Sequence, residues 1–346
     1  MRDLREHSPL MEGVLKAMIS KPRIAAALLL IAVIGIQCVT TSLAAQEAAV
    51  MRSAQSGPWS DPATWAGGKL PPAGAKVQIR QGHTVVYDIK AEQAIRSVHI
   101  AGTLRIDPDR DTRLDVGLIR IQAGNSTDEE GFDCNAHLAD AAPGQLRPAL
   151  EVGSPNQPIS PKHTALIRLV YFKGMNKESC PAIVCCGGRM DFHGAPLSRT
   201  WVKLNAAAKK GDGGITMTEA VTGWRVGDRV IVTATQHDKG PGRGGEEESR
   251  LGTLRPGASN RQAFTEERTI QAIDGAKLTL DKPLAHEHQG GGEFSGAVAN
   301  LSRNVVVESA DPSGVRGHTM YHRGSAGAIR YAEFRHLGKE IGRAHV

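Results

Sequence analysis

Short apolar runs alternate with polar residues along most of the chain after residue 45, and each run ends at glycine, asparagine or aspartate. This period-two pattern is typical of β-strands, and no long amphipathic helix interrupts it. Three runs begin 21 residues apart, at Val77, Val98 and Ile119, and each places two apolar side chains on one face before a glycine. A repeat of about 20 residues with two or three short strands predicts one coil of a parallel β-helix.

The main alternative is a β-sandwich with regularly spaced hairpins, which also produces many short strands. The constant 21-residue interval favours the β-helix. The same pattern returns after Asn300 in two strands, whose positions Val305 and Ile329 lie 24 residues apart and predict one further coil. The fold class that the pattern predicts is therefore all-β.

Residues 201–299 have a different pattern, which predicts a small antiparallel β module inserted into the β-helix. Asp274-Gly275 separates two alternating runs, which is a strong hairpin signal. Within the module, residues 237–260 are charged, rich in glycine and poor in large apolar residues, so a mobile loop is predicted there. His286 to His288 precede three glycines and are interpreted as a solvated loop.

The first 44 residues are predicted to be a signal peptide. Residues 24–36 form thirteen consecutive positions without a polar side chain. A transmembrane helix needs about 20 such residues, whereas the core of a signal peptide needs about 7 to 15. Ser42 to Ala44 provide the small residues of a cleavage site, so cleavage is expected after Ala44. The mature protein is then secreted, periplasmic or on the cell surface, with no remaining membrane span; an uncleaved anchor is the alternative.

Charge and local composition argue against two classes of ligand. The net charge is +6, of which +2 (five basic and three acidic residues) falls before Ile24, and no basic run with interleaved aromatic residues follows. Nucleic-acid binding is therefore not expected. Residues 240–245 match the GxGxxG pattern, but three glutamates follow at 246–248 and no apolar helix begins there. A nucleotide phosphate needs a helix N-terminus at that point, so no nucleotide is expected.

Four cysteines follow the predicted leader: Cys134, Cys180, Cys185 and Cys186. An even number of cysteines in an exported protein predicts two disulfide bonds, and three pairings are open. Adjacent Cys185 and Cys186 seldom bond each other. A zinc site is less favoured, because the sequence contains no CxxC pair.

A set of turn and strand motifs carries a resemblance to a known family. The motifs are Ser56–Trp65, Pro71–Gly74, Gly82–Val85, Ala101–Leu104, Gly187–Gly194, Trp224–Asp228, Leu301–Asn304, Gly317–Met320 and Ala332–Gly338. They resemble the G-eight domain family, named for its eight glycines, which includes fibrocystin and the hyaluronan-binding and hyaluronidase-like cell-surface proteins. The motifs cover most of residues 56–339 in order, and the insert at 128–148 departs from the family pattern.

The resemblance implies a right-handed parallel β-helix of the pectin-lyase-like type, together with hyaluronan binding or cleavage. On this basis residues 45–200 are predicted to be the G-eight domain with the first coils of the β-helix, and residues 300–340 the start of further coils. The codons of residues 340–346 can read as the start of a common sequencing adapter. Residues 341–346 are therefore expected to be an artefact at the end of a truncated product.

Two groups of polar residues are candidates for chemistry. His318, Glu333 and Arg335 are the catalytic candidates, because polysaccharide cleavage needs either two carboxylates or a base with a cation. The substrate-binding candidates, which include two residues at strand spacing, are Asp191, His193 and His336. For the catalytic candidates the alternative is a ladder of stacked polar side chains without chemistry, and for Asp191 and His193 it is a polar turn beside Gly194. The metal is unidentified, and the cofactor considered is a divalent cation such as Ca²⁺.

The sequence therefore predicts an exported protein that binds or degrades an extracellular polysaccharide, hyaluronidase-like by resemblance. If the protein is an enzyme, glycoside hydrolysis or eliminative cleavage of a hyaluronan-like polymer is expected. The alternative is a non-enzymatic adhesion or structural module at the cell surface. A monomer is expected, without nucleic acid as a partner.

Overall fold

A computed structural model of the protein describes residues 50–129, 146–236 and 264–339. Within these ranges the chain consists of strands, turns, irregular segments and a short 3₁₀ helix at Pro62–Thr64, without an α-helix. No helix in the same ranges is long and apolar enough to cross a membrane. Four of the sequence predictions fall outside the described ranges: the signal peptide (1–44), the mobile loop (237–260), Cys134 and residues 341–346.

The described residues contain 21 β-strands in three sheets. In chain order the strands are β1 (Val50–Arg52), β2 (Gly57–Pro58), β3 (Lys76–Ile79), β4 (Thr84–Tyr87), β5 (Ile95–Ile100), β6 (Thr103–Ile106), β7 (Thr112–Gln122), β8 (Ala149–Val152), β9 (Ala165–Leu169), β10 (Ala182–Cys186), β11 (Arg189–His193), β12 (Trp201–Lys203), β13 (Gly214–Thr216), β14 (Arg229–Val232), β15 (Glu266–Asp274), β16 (Lys277–Leu280), β17 (Ala297–Asn300), β18 (Val305–Ser309), β19 (His318–Tyr321), β20 (Ile329–Arg330) and β21 (Ala332–Arg335).

The pairing of the strands confirms the predicted parallel β-helix. Val77 pairs with Val98, and Val98 pairs with Ile119, in parallel register. These are the positions that the 21-residue interval aligns in the sequence. All three side chains are fully buried, so each coil stacks its apolar residues on those of the coil before it.

The later coils have three strands each, and these lie on three faces of the β-helix. β9, β10 and β11 form one coil, and β18, β19 and β20 form the next. β9 pairs with β18, β10 with β19 and β11 with β20, all in parallel. β21 follows by pairing with β18. We call the face of β9, β18 and β21 the first face, that of β10 and β19 the second, and that of β8, β11 and β20 the third.

The expectation that Val305 and Ile329 align in successive coils is wrong. Val305 pairs with Ala332, 27 residues later, whereas Ile329 lies in β20 and pairs with Phe192. Between β20 and β21, Tyr331 has a φ of 52°, which is uncommon for a residue with a side chain and turns the chain from the third face to the first. One apolar run in the sequence is therefore two short strands on different faces.

One apolar cluster fills the interior of the coil stack, and aromatic contacts lie at both of its described ends. In the first coil, Trp59 packs edge-on against Trp65 and Tyr87, with ring centroids 4.7 and 5.0 Å away. The Nε1–H of Trp65 donates to the Trp59 carbonyl at 2.9 Å, so the buried indole is satisfied. In the last described coils, Phe192 packs against Phe334 at 5.2 Å. Edge-to-face aromatic pairs stabilise a core beyond their buried area alone.

An antiparallel sheet lies between β11 and β18 in the chain. Its strand order is β12-β17-β14-β15-β16-β13. β15 and β16 pair as far as Asp274 and Lys277, and Gly275 between them has a φ of 55°, so the predicted hairpin is confirmed. The sheet buries an apolar cluster of its own, which includes Trp224 and Val298. It is therefore built around a second core and does not extend the interior of the β-helix.

The interpretation of His286 to His288 as a solvated loop is wrong for His288, which is fully buried. Its Nε2 lies 3.0 Å from Oε1 of Glu266, and its Nδ1 lies 2.9 Å from the carbonyl oxygen of Thr233. Glu266 is itself buried and paired with Arg268. A buried carboxylate needs such partners, and this requirement draws His288 inside although the surrounding sequence is polar and rich in glycine.

The prediction of two disulfide bonds is wrong for Cys180 and Cys185, whose thiols are free and buried. Cys185 points into the coil interior, whereas Cys186 points to the opposite side of β10, where Cys180 also packs. Strand alternation therefore separates Cys185 from the other two cysteines. Burial raises the pKa of both the Cys180 and the Cys185 thiol. Cys134, the fourth cysteine of the prediction, lies outside the described residues.

Candidate functional site

A ladder of alternating charges runs across the outer surface of the first face. Asp115, Arg168, Glu308 and Arg335 occupy paired positions on four adjacent strands. Arg168 bonds Asp115 and Glu308, each at 3.1 Å, and Arg335 Nε lies 2.6 Å from Glu308. Each charge therefore has a neighbour of opposite sign, which is the polar ladder that the sequence analysis held as its alternative to catalysis.

Glu333 and Arg335, two of the catalytic candidates, lie together on this face as their spacing predicts. Oε1 of Glu333 accepts from Arg229 Nη2 at 2.7 Å and lies 3.5 Å from Arg335 Nη1. Arg229 belongs to the antiparallel module and also bonds Glu267 at 3.0 Å. The Glu333 side chain is only 10% exposed. It therefore connects the β-helix to the module through the guanidinium group of Arg229.

His318, the third catalytic candidate, lies on the second face and outside this ladder. It pairs with Ala182 in β10, whereas Glu333 pairs with Val306 in β18. Its Nδ1 is buried without a hydrogen-bond partner in the described part of the chain. Burial lowers the pKa of His318, and the nearby Lys339 ammonium lowers it further. The candidate base and the candidate carboxylate therefore lie on different faces of the β-helix.

The substrate-binding candidates are divided between two faces. Asp191 and His193 are buried in β11 on the third face, where Asp191 pairs with Arg189 and accepts from the Ala328 N–H at 2.9 Å. Burial lowers the pKa of His193, whose Nε2 has no partner among the described residues. His336 is exposed after β21, and its carbonyl accepts from a serine hydroxyl of the preceding coil at 2.7 Å. These three residues do not form one site.

The described ranges contain no cluster of side chains suited to a metal ion. No group of three or more histidine, cysteine, aspartate or glutamate residues there could hold a metal ion. A Ca²⁺ site stays a prediction without a set of ligands among these residues.

A groove that the sequence analysis did not identify lies beside β12. Trp201 is 55% exposed there, and Val202, the next residue, is buried in the module core. Lys203 is exposed on the same strand face as Trp201, and Arg199, two residues earlier, is exposed as well. The groove has a volume of about 540 Å³ and is lined by residues 197–203, Thr218, Glu219 and Tyr331.

The walls of this groove come from both parts of the structure. β12 and the segment before it form one wall, and Tyr331, at the turn between β20 and β21, reaches it from the β-helix. Arg199 Nε lies 3.0 Å from Glu219 Oε1, and both side chains are about half exposed. Lys203 Nζ donates to the Glu293 carbonyl at 3.1 Å. An exposed indole and two cations therefore line one groove at the junction of the module and the β-helix.

The sequence holds a signal for this groove, but only the structure gives it meaning. The chain has four tryptophans, and the other three are 1–6% exposed. Period-two alternation places Trp201 and Lys203 on one face, yet it does not say which face is covered. A large aromatic residue at that position would ordinarily be assigned to the core.

Residues 64–205 match the G8 domain family. Fibrocystin-L of Mus musculus is 25% identical over 268 residues, which cover 73% of this chain and 5% of that protein. A G8 domain-containing protein of Dictyostelium discoideum is 32% identical over 130 residues, which cover 38% of this chain and 10% of that protein. This chain therefore spans a tenth or less of the length of these relatives.

Two phage tailspikes align with most of the chain at low similarity. The tailspike of Pseudomonas phage phi297 has 11% identity and a TM-score of 0.24, covering 75% of this chain and 26% of that chain. The tailspike of Acinetobacter baumannii bacteriophage AP22, in complex with capsular saccharide, has 8% identity and the same TM-score of 0.24, covering 70% of this chain and 30% of that chain. Scores of this size support no conclusion about fold or function.

The family match begins at Thr64, beside the aromatic cluster of the first coil, and ends at Asn205, just after β12. It contains the coils with the 21-residue interval and also Trp201. The match of residues 64–205 to the G8 domain family agrees with the resemblance that the motifs in the sequence carry.

Proposed function

We propose that this protein binds an acidic polysaccharide in the groove beside β12. The observation that carries the proposal is the half-exposed Trp201 between Arg199 and Lys203, in a groove of about 540 Å³. Binding sites for small ligands are commonly clefts of about 300 to 1,000 Å³ with a few well-placed polar groups. The groove is of this size and combines one large aromatic surface with two cations.

The indole of Trp201 supplies a flat apolar surface for a sugar ring. The ring of a sugar has C–H groups on one side, and these pack on an aromatic face while its hydroxyls stay in contact with water. Trp201 is 55% exposed, so more than half of its surface is accessible for this contact. Because exposed aromatic side chains in concave sites are frequent binding hot spots, Trp201 is assigned the largest share of the affinity.

The two cations favour a polysaccharide with carboxylate or sulfate groups. Arginine binds such groups through two parallel N–H donors, and lysine provides a mobile point charge. The Arg199–Glu219 pair is exposed on both sides, and such a pair contributes about 0–1 kcal/mol to stability. Arg199 can therefore exchange Glu219 for an anionic group of the ligand at little cost.

Binding without cleavage is the proposal for this chain. Glu333 is engaged by Arg229 and Arg335, and His318 pairs on a different face, so these residues do not converge on the groove. Cleavage of a hyaluronan-like polymer stays a prediction from the family resemblance. Reducing-end release from the same polymers would reveal it.

The test is isothermal titration of the purified protein with polygalacturonate, alginate, hyaluronan and, as a neutral control, dextran. Loss of about 100 Å² of apolar contact in Trp201→Ala corresponds to about 2.5 kcal/mol at 25 cal/mol/Å², or roughly 60-fold in Kd. Trp201→Phe should retain most of the binding. Phe294→Ala, which removes an 83% exposed aromatic residue outside the groove lining, is the matched control.

Unchanged affinity in Trp201→Ala would refute the proposed site. Failure of the wild-type protein to bind any polymer of the panel would instead favour the adhesion or structural alternative. Export of the protein is part of the same proposal, and mass spectrometry of secreted material should find Ala45 at its N-terminus.

A further inference from the structure

A second groove, with a volume of about 500 Å³, lies at the far end of β21. Three separate segments line it: the turn at Lys177 and Glu178, the loop at 312–316 between β18 and β19, and residues 338–339 after β21. Its shape therefore depends on three successive coils.

Basic side chains predominate in this groove. Lys177, Arg316 and Lys339 line it with a single acidic residue, Glu178, which gives three positive charges against one negative and a net charge of +2. Neither Lys177 nor Arg316 has an ion-pair partner in the described ranges, and both are exposed. Lys339 Nζ donates to the Cys180 carbonyl at 2.5 Å and forms no ion pair with a carboxylate of the described residues, although Glu178 is near enough to act on its charge. The groove thus offers positive charge that the described protein does not neutralise.

The loop that carries Arg316 has a fixed shape. Oδ1 of Asp311 accepts from the backbone N–H and the hydroxyl of Ser313, at 3.0 and 2.8 Å, and from the Gly314 N–H at 3.0 Å. Three bonds to one carboxylate oxygen hold the turn, so little conformational entropy is lost when the loop binds an anion.

The two grooves lie at opposite ends of the same strand. Tyr331, just before β21, lines the Trp201 groove, whereas Gly338 lines the basic groove. These two residues are seven positions apart, which in an extended chain corresponds to at most about 23 Å at 3.3 Å per residue. Glu333 and Arg335 lie between the grooves on the outer face, and their charges are paired. A polymer that crosses this face between the two grooves therefore meets side chains whose charges are already paired.

We propose that the basic groove binds carboxylate or sulfate groups of the same polysaccharide chain that occupies the Trp201 groove. This inference rests on the proposed function and extends it: the ligand is a long polyanion that lies along β21. Two linked sites convert the second binding event into an intramolecular one, which raises affinity by about 10²–10⁴ over a single site. A short oligosaccharide reaches only one groove and lacks this gain.

The experiment compares trigalacturonate with polygalacturonate on four proteins: the wild type, Lys177→Ala/Arg316→Ala, Trp201→Ala, and Lys69→Ala/Arg80→Ala. The last variant removes the same two charges from exposed positions in an early coil and is the matched control. The wild type should bind the polymer at least 100-fold more tightly than the trimer. The Lys177/Arg316 variant should lose at least tenfold in affinity for the polymer and keep its affinity for the trimer, whereas the control should match the wild type.

Separate arms identify the source of the anion and the origin of any failure. Inorganic sulfate and dextran sulfate are titrated in parallel, and dextran sulfate should bind far more tightly than free sulfate if the glycan chain is the ligand. Unchanged polymer affinity in the Lys177/Arg316 variant overturns this inference, while a loss of trimer binding in Trp201→Ala still supports the proposed function. Trimer binding that is insensitive to Trp201→Ala overturns the proposed function itself. Arg316→Glu, a single substitution at an exposed position, is a second variant. Because it reverses the charge, it should lose more affinity for the polymer than the Lys177/Arg316 variant does.

Discussion

Replacement of Asn304 should weaken the connection between the antiparallel module and the β-helix and so lower the stability of the protein. Asn304 lies just before β18, where the chain returns from the module, and it is 3% exposed. Its Oδ1 accepts from the N–H of Ala195, where the chain leaves β11, at 2.8 Å. Its Nδ2 lies 3.0, 3.0 and 3.1 Å from the carbonyl oxygens of Ile159, Ser160 and His163. One side chain therefore joins the exit and the return of the inserted segment to a loop of the coil stack.

The expected cost of Asn304→Ala follows from these contacts. The amide has two N–H groups to share among three carbonyls, and a typical net contribution is about 1 kcal/mol for each hydrogen bond. The Ala195 N–H also loses its acceptor, and an unsatisfied buried donor costs about 1–3 kcal/mol. Because Ala195 is only partly buried, we expect a total loss of about 2–4 kcal/mol. At roughly 2–4 °C per kcal/mol for a unit of this size, Tm should fall by about 5–15 °C.

Thermal and urea unfolding would measure this loss. Asn304→Asp keeps the acceptor for Ala195 but presents a carboxylate to three carbonyl oxygens, so it should be at least as destabilising as alanine at neutral pH. Asn205→Ala, at an exposed position, is the control and should stay within about 0.5 kcal/mol of the wild type. If Asn304→Ala also stays within 0.5 kcal/mol, the side chain does not join the two parts and the reasoning is wrong.

Three further predictions concern the coil stack. Burial lowers the pKa of His99 to about 4, and nearby cations add to the shift, so the folded state binds fewer protons than the unfolded state. The free energy of unfolding should therefore be fully present above about pH 6.5 and fall by about 3 kcal/mol as the pH drops towards 4. Unfolding of His99→Leu, measured across the same pH range, should lack this dependence. A Cβ at Gly102 would lie 2.3 Å from two backbone carbonyl oxygens, so Gly102→Ala should lower the free energy of unfolding in urea by more than about 3 kcal/mol. In the control Gly213→Ala the added Cβ meets nothing within 4 Å, so its stability should be close to that of the wild type. Alkylation followed by mass spectrometry should label Cys180 and Cys185 only after denaturation, and finding either in a disulfide would contradict the structure.

The coil architecture could be predicted from sequence because the β-helix repeats a local pattern. Val77, Val98 and Ile119 align in the sequence at the interval at which they stack in the structure. The alignment of Val305 with Ile329 failed, because a turn at Tyr331 shifts the chain to another face without an evident break in the apolar run. Strand existence is therefore encoded locally, whereas the face on which a short strand lies depends on a single backbone angle.

The candidate site was less predictable, since it depends on contacts between distant segments. The spacing of Glu333 and Arg335 correctly places them on one face, but Arg229, which occupies Glu333, comes from 104 residues earlier in the chain. The exposure of Trp201 likewise depends on how β12 sits at the edge of the module. No pattern within either segment carries this information.

Acrylamide quenching of tryptophan fluorescence, with and without saturating polygalacturonate, tests directly whether the polymer covers Trp201. Trp59, Trp65 and Trp224 are buried, so quenching reports mainly on Trp201. Polygalacturonate should lower the quenching constant at least twofold, dextran should leave it unchanged, and quenching of Trp201→Phe should not depend on the polymer. If the polymer binds and Trp201 remains as accessible to acrylamide as before, the groove beside β12 is not the binding site.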